Sequence, residues 1–269
     1  MTRETTAPDP ATVERDRREE RQWQDAVGAA LLDVPYRQPG SAAVFERQWE
    51  RIATVLAEAP AGPIVEIGCG KGHLLAWLQR RFPARRWIGI DVSRAVRTLP
   101  EQQLAGVLGD GEQLPFRSGV AAAIIYDGAL HHLIDYEHAL EEAVRVLMPG
   151  GLVVIFEPVS SPFTRTMHRL LDPLVAVEYE SPIDQRYKHA FDEVRIRAAL
   201  ATGTRIAADE RTDVLAYPLT GCYAGSPFAR HAGLLRALLA LEARVLALPL
   251  LGSLARVFAW RTFICARKR

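Results

Sequence analysis

The apolar positions of this chain form short continuous runs and helical-period stripes, and through the middle of the sequence the two alternate. Ahead of that stretch, residues 17–58 are mostly helix-compatible. Trp23, Val27, Ala30 and Leu31 fall on one stripe and Phe45, Trp49, Ile52 and Val55 on a second, with Pro35, Pro39 and Gly40 between them. The β-branched run Pro63–Ile67 stops at Gly68-Cys69-Gly70-Lys71-Gly72 and gives way to a helix-like run from His73 to Phe82, which makes a strand, tight loop, helix unit. Trp87–Ile90 ends at Asp91, Gln103–Leu108 ends near Asp110, and the apolar run Val120–Tyr126 leads into Asp127, Gly128, His131 and His132. Helical spacing at Tyr136, Leu140, Ala143, Val144 and Leu147 is closed by Pro149-Gly150-Gly151, before a fifth strand at Leu152–Phe156.

This alternation predicts an α/β fold, a Rossmann-like doubly wound sheet whose nearly all-apolar strands suit burial on both faces. After Glu157-Pro158 the alternation stops, and Pro162, Pro173 and Pro182 break helical segments into what reads as a lid. Core resumes at Phe191, with Asp192 as cap of a helix through Leu200 and a strand at Arg205–Val214; a second insertion then precedes a closing strand, Val257–Ala266. The expected organisation is a flexible segment at 1–20, a helical cap at 21–58, a cofactor-binding core at 59–158 and a substrate lid at 159–190. Core continues at 191–216, followed by a hydrophobic basic helical insertion at 217–256 and a closing strand with a basic tail at 257–269.

Composition narrows the partners. With 49% apolar and 24% charged residues, the chain is neither a disordered polymer nor a collagen-like repeat. Lys plus Arg number 33 against 32 acids, so no global charge attracts nucleic acid, which is not an expected partner. Cys69, Cys222 and Cys265 form no CxxC pair and no HExxH occurs, so neither a disulfide framework nor a metal site is expected. The first residues carry no apolar secretory core, and a cytoplasmic protein is expected.

The glycines at 68, 70 and 72 can admit a ligand close to the backbone, or simply make a tight turn. Asp91 closes the next strand at a spacing suited to a carboxylate that accepts ribose hydroxyls, and Asp110 closes the third, followed by Gly111 and Glu112. Position 73 is His where a dinucleotide fingerprint needs glycine, and Lys71 is followed by glycine where a phosphate loop needs Ser or Thr. A sulfonium donor is compatible with a loop that has no phosphate grip, though the loop alone does not select it.

The ordered set EIGCGKG at 66–72, GIDVS at 89–93, GDGEQLPF at 109–116, ALHHL at 129–133 and RVLMPGGLVVIFEP at 145–158 resembles the class I S-adenosylmethionine-dependent methyltransferases, within them the small-molecule group called type 11. The resemblance covers roughly residues 60–160. It implies a seven-stranded sheet with a reversed final hairpin and S-adenosyl-L-methionine as cofactor. It also implies Glu66, Gly68 and Gly70 at the methionine part, Asp91 at the ribose, and Asp110 with Gly111 at the adenine. Glu112 adjoins these, and Cys69, Gly72, Val92 and Asp127 complete the expected cofactor set.

Methyl transfer needs an aligned nucleophile more than an elaborate catalytic apparatus. A general base would serve a phenol or an acidic carbon, and His131 and His132 are the candidates, against a packing or loop-orienting role. Glu157, Tyr187 and His189 are candidate substrate contacts, with an ion pair or helix cap as the alternative for Glu157. From Arg230 to Arg269 stand eight Arg or Lys residues and one acid, Glu242, among many leucines. This pattern reads first as a cap over an apolar acceptor pocket and second as a peripheral contact with an anionic membrane; charges and Pro249 interrupt any membrane span. The expected function is methyl transfer to a small, partly hydrophobic metabolite. The alternatives are a cyclase or other non-methylating enzyme on the same fold and a catalytically idle binding or assembly subunit.

Overall fold

The computed structural model describes residues 9–28, 38–171, 182, 192–220 and 227–269. Two helices, α1 (Pro10–Trp23) and α2 (Pro39–Leu56), precede β1 (Ile64–Ile67), α3 (His73–Arg81), β2 (Trp87–Asp91), β3 (Ala105–Leu108), β4 (Ala121–Asp127), α4 (Tyr136–Val146) and β5 (Leu147–Pro158). Then come α5 (Pro162–Leu171), α6 (Glu193–Ala201), β6 (Thr204–Thr212), α7 (Ala232–Ala247), α8 (Pro249–Ala255) and β7 (Arg261–Lys268).

The strands make one seven-stranded sheet in the order β3-β2-β1-β4-β5-β7-β6. Strands β1 to β5 pair in parallel, and β7 runs antiparallel to both β5 and β6. The reversed final hairpin expected from the sequence is present. The chain winds outward from β1 to β3 and then returns to place β4 on the other side of β1, so a crevice opens beyond the carboxyl ends of β1 and β4.

Both faces of the sheet are covered, which is why its inner strands are apolar throughout. On one face, Phe45, Trp49, Ile52 and Leu56 of α2 and Leu74, Leu75 and Leu78 of α3 pack against Ile64, Ile125, Val154 and Phe263. On the other, Tyr136, Leu140 and Ala143 of α4 and Ile196 and Leu200 of α6 pack against Val65, Ile67, Ile90 and Ile124. Removing a large side chain from either layer, for instance Leu78→Ala, would cost about 2–5 kcal/mol. Asp192 caps α6 as expected, its carboxylate accepting the Val194 N–H at 2.7 Å.

Three boundaries differ from the sequence reading, and the facing of one helix is added by the structure. Residues 10–20, expected as part of a flexible lead-in, belong to α1, whose Asp16 and Glu20 are buried. The helix is held by polar contacts described below, so it has no strong apolar stripe to betray it. The fifth strand begins at Leu147 where a Pro-Gly-Gly break was expected, because Leu147 pairs with Ala121 and Leu152 with Ala123. Residues 148–151 bulge out of the ladder, with Gly150 at φ 76°. The closing strand begins at Arg261 and not at Val257, because Arg256–Phe258 forms a 3-10 turn. Finally, α7 turns Leu235 and Leu239 inward toward α2 and the residues near Val44, while Leu234, Leu241 and Leu248 face outward.

Candidate active site

The loop after β1 is shaped by Gly68, Gly70 and Gly72, at φ 71°, 50° and 74°, values that side chains with a Cβ rarely adopt. A Cβ at Gly68 would also overlap the methyl of Ala129. Asp91, at the end of β2, pins this loop: its Oδ2 accepts the Gly70 N–H at 2.7 Å and its Oδ1 accepts the Ser93 N–H at 2.8 Å. Each carboxylate oxygen keeps further acceptor capacity, so the same group can still receive ribose hydroxyls. The Cys69 thiol packs over Gly89, and burial pushes its pKa well up.

The cleft beyond β1, β2 and β4 is lined by every residue expected at the cofactor except Gly72, which instead stands at the N-cap of α3. Its character is acidic. Glu66 is buried and its pKa is pushed well up, first by burial and then by the neighbouring Asp127 and Asp91 carboxylates. Its Oε2 has no hydrogen-bond partner among the described residues. Burial also raises the pKa of Asp127, against the pull of Arg261, whose guanidinium donates to Oδ1 at 2.9 Å, and of Trp49, whose Nε1 donates to Oδ2 at 3.2 Å. A ligand bearing an ammonium and a sulfonium matches such a cleft in charge and would supply a partner for Glu66 Oε2.

Beyond β3, Asp110 Oδ1 accepts the Glu112 N–H at 2.9 Å, and a Cβ at Gly111 would lie 2.7 Å from Ile67 Cγ2, so this turn needs glycine to sit on β1. Glu112 is buried. Its Oε1 accepts the Ile134 N–H at 2.7 Å, and its Oε2 is ion-paired with Arg17 of α1. Arg17, Glu20, Arg21 and Gln24 all line the cleft, so the N-terminal helix forms one of its walls. The sequence reading missed these residues; the only available signal was the charge-rich α1 segment itself.

Glu157 is fully buried at the end of β5. Its Oε1 accepts the N–H groups of Ala129 and Leu130 at 2.8 and 2.7 Å, and its Oε2 lies 2.6 Å from His131 Nδ1. The carboxylate thus orients a loop and a ring, the ion-pair alternative of the sequence reading, and has no face open to a substrate. His132 lines the cleft, lies against His131 with ring centroids 4.1 Å apart and planes tilted by 38°, and approaches Glu20 at 3.6 Å. Tyr187 and His189 lie outside the described residues.

Arg261, also missed, is the buried hub behind this wall. It donates to Gln48, Asp127 and the Phe156 carbonyl, and lies 4.3 Å from the Phe156 ring centroid. Burial disfavours its charge, but Tyr217, Asp127, Asp213 and Glu157 more than restore it, so its pKa lies above the ordinary value.

A family model described as "Methyltransferase domain" matches residues 65–155. The chain is 29% identical to a malonyl-[acyl-carrier protein] O-methyltransferase of Dechloromonas aromatica, over 66% of this chain and 65% of that protein. It is 32% identical to a tRNA (carboxymethyluridine(34)-5-O)-methyltransferase of Arabidopsis thaliana, over 40% of this chain and 27% of that protein. Both alignments therefore span less than two thirds of the relative. Among solved structures, magnesium protoporphyrin IX methyltransferase of Synechocystis PCC 6803 with bound SAH shares the fold at a TM-score of 0.59 and 12% identity, over 94% of this chain and 100% of that one. Residues 65–155 thus match a methyltransferase domain, and the glycine cradle and the β3-β2-β1-β4-β5-β7-β6 sheet give the chain a fold similar to that of S-adenosylmethionine-dependent methyltransferases.

Proposed function

We propose that the chain transfers a methyl group from S-adenosylmethionine to a small metabolite, with the His131–Glu157 pair taking the acceptor's proton. The observation that carries this reading is the acidic, glycine-floored cleft lined by His132, against whose ring lies His131, itself paired to the buried Glu157 carboxylate. When bound, the cofactor supplies an activated methyl on a sulfonium. The rest falls to the chain. Asp91 holds the ribose hydroxyls, Glu66 meets the ammonium end, and Asp110 with Gly111 borders the adenine. With Nδ1 held by Glu157, proton uptake falls to Nε2 of His131, and the Glu157 carboxylate stabilises the resulting imidazolium. Removal of this proton would keep the acceptor nucleophilic toward the methyl group that the bound cofactor would supply.

The balanced charge of the chain favours a small acceptor over nucleic acid. The direct test incubates the protein with methyl-labelled donor and, separately, pooled metabolites and total tRNA. Label entering the small-molecule fraction with release of S-adenosylhomocysteine is the expected result. Label confined to tRNA would reassign the acceptor, and product formation without loss of the methyl group would favour a cyclase.

A further inference from the structure

Helix α8 leaves the body of the protein with its leucines outward: Leu250 is 88% exposed, Leu254 61% and Leu251 55%, and Val257 and Phe258 continue the apolar surface into the next turn. This surface is anchored. Phe258 meets Phe163 of α5 edge-on at 5.1 Å, and Phe163 in turn meets Trp260 at 5.9 Å, next to the start of β7. No described residue of α7 or α8 lines the cofactor cleft.

The exposed charges of these segments have one sign. Residues 227–258 carry four arginines, Arg230, Arg236, Arg244 and Arg256, and a single acid, Glu242. Glu242 is only 1% exposed and turns inward, where its Oε2 accepts the Val214 and Leu215 N–H groups at 3.0 and 2.8 Å. Helix α5 contains two further arginines and no acid. The outer face therefore combines exposed leucines with positive charge and presents no carboxylate from these segments.

We propose that the α7–α8 face docks on an anionic lipid surface, with Leu250, Leu251 and Leu254 in the headgroup boundary and the flanking arginines on the lipid phosphates. A second copy of the chain fits less well, because a two-fold contact would bring arginines to arginines with no acid between them. A bilayer containing acidic lipid satisfies both the apolar and the charged requirement. No helix among the described residues is long and apolar enough to cross a membrane, so the contact is peripheral. The inference does not rest on methyl transfer.

The test is co-sedimentation of the full chain with vesicles of phosphatidylcholine alone and of phosphatidylcholine with phosphatidylglycerol, at low and high salt. Leu250→Ser/Leu254→Ser and Arg236→Gln/Arg244→Gln serve as variants, and calorimetric donor binding and Tm as folding controls. Binding to the acidic vesicles is expected to weaken about tenfold for each pair of changes and on raising salt. Failure of the folded protein to bind acidic vesicles, or binding that neither pair alters, would overturn the proposal. So would a lipid-free dimer that the leucine changes dissociate while vesicle binding stays the same.

Discussion

Glu157 Oε2 lies 2.6 Å from His131 Nδ1, while Oε1 of the same carboxylate holds the backbone of Ala129 and Leu130. One buried side chain therefore fixes both the loop after β4 and the ring that the loop carries. Burial opposes the Glu157 anion, but His131 and the Leu130 N–H outweigh it, and the pKa lies below the usual carboxylate value.

If this pair handles the acceptor's proton, Glu157→Gln should lower kcat about 10²-fold while leaving donor affinity within about twofold. The amide keeps the shape and one acceptor oxygen but no longer stabilises the imidazolium. The acidic limb of the kcat profile, along which the base loses its proton, should therefore move to lower pH. His131→Gln should cost a similar factor, and the double variant little more, because the two act as a unit. A pH profile identical to wild type in Glu157→Gln would reduce the residue to a loop support.

The cradle predicts a sharp asymmetry between small changes. Gly68→Ala introduces a methyl both at a φ of 71° and against Ala129, and Asp91→Ala releases the Gly70 and Ser93 amides. Donor affinity by calorimetry should fall about 100-fold for Asp91→Ala, the loss of a charged acceptor and of loop order together. Gly119→Ala is the control, since its Cβ meets nothing within 4 Å and its φ of 75° brings backbone strain alone. It should leave donor binding unchanged.

Helix α1 should behave as a latch on the cofactor cleft. Arg17→Ala removes its ion pair with Glu112 and the nearby Asp110 contact at 3.8 Å. Limited proteolysis within 10–23 should accelerate, and the donor should dissociate about tenfold faster, with Tm nearly unchanged because the sheet and its flanking helices do not depend on this contact. Equal proteolysis in wild type and variant, with or without donor, would show that α1 is held by other contacts.

Asp213 yields a stability prediction with a defined sign. It is buried in a left-handed backbone conformation at φ 62°, accepts from Gln48 at 3.2 Å, and is pushed up to about 7, mainly by burial, with Arg261 opposing and Glu242 adding to the rise. An unfolded aspartate ionises near pH 4, so between about pH 4 and 7 the folded chain keeps a proton that the unfolded chain loses. Stability from this group is full below that window and is lost as pH rises through it, by at most about 1.4 kcal/mol per pH unit. Asn tolerates the same backbone and cannot ionise. From pH 5 to pH 7, urea unfolding should show wild type losing about 2 kcal/mol more than Asp213→Asn; parallel losses would place the Asp213 pKa outside this window.

Much of the lining of the cleft was legible in the sequence because it is local. A strand that must be apolar, a loop that must be glycine and an acid at the next strand's end are read within a few residues of one another, and the sheet's topology places all three at one edge. Gly68, Gly70, Asp91 and Asp110, which the structure brings to one cleft, could therefore be grouped before any contact was known. The α1 wall was not legible. Arg17 and Glu112 are 95 residues apart, and an ion pair leaves no periodic mark on a charge-rich segment. Likewise nothing in the run through Glu157 distinguishes a carboxylate facing substrate from one turned inward onto His131.

The sequence by itself determined the layer architecture, the order of strands up to β5 and the chemistry of the glycine cleft, because hydrophobic period and backbone permissiveness are properties of neighbouring residues. Tertiary structure alone decided which buried charges meet: His131 with Glu157, Arg261 with Asp127, Glu242 with the amides of Val214 and Leu215. It also decided that α7 buries Leu235 and Leu239 while α8 leaves Leu250 and Leu254 to solvent. The physical reason is the same in each case. A leucine or a carboxylate carries its own cost of exposure or burial, but only the packed chain supplies the partner that offsets it.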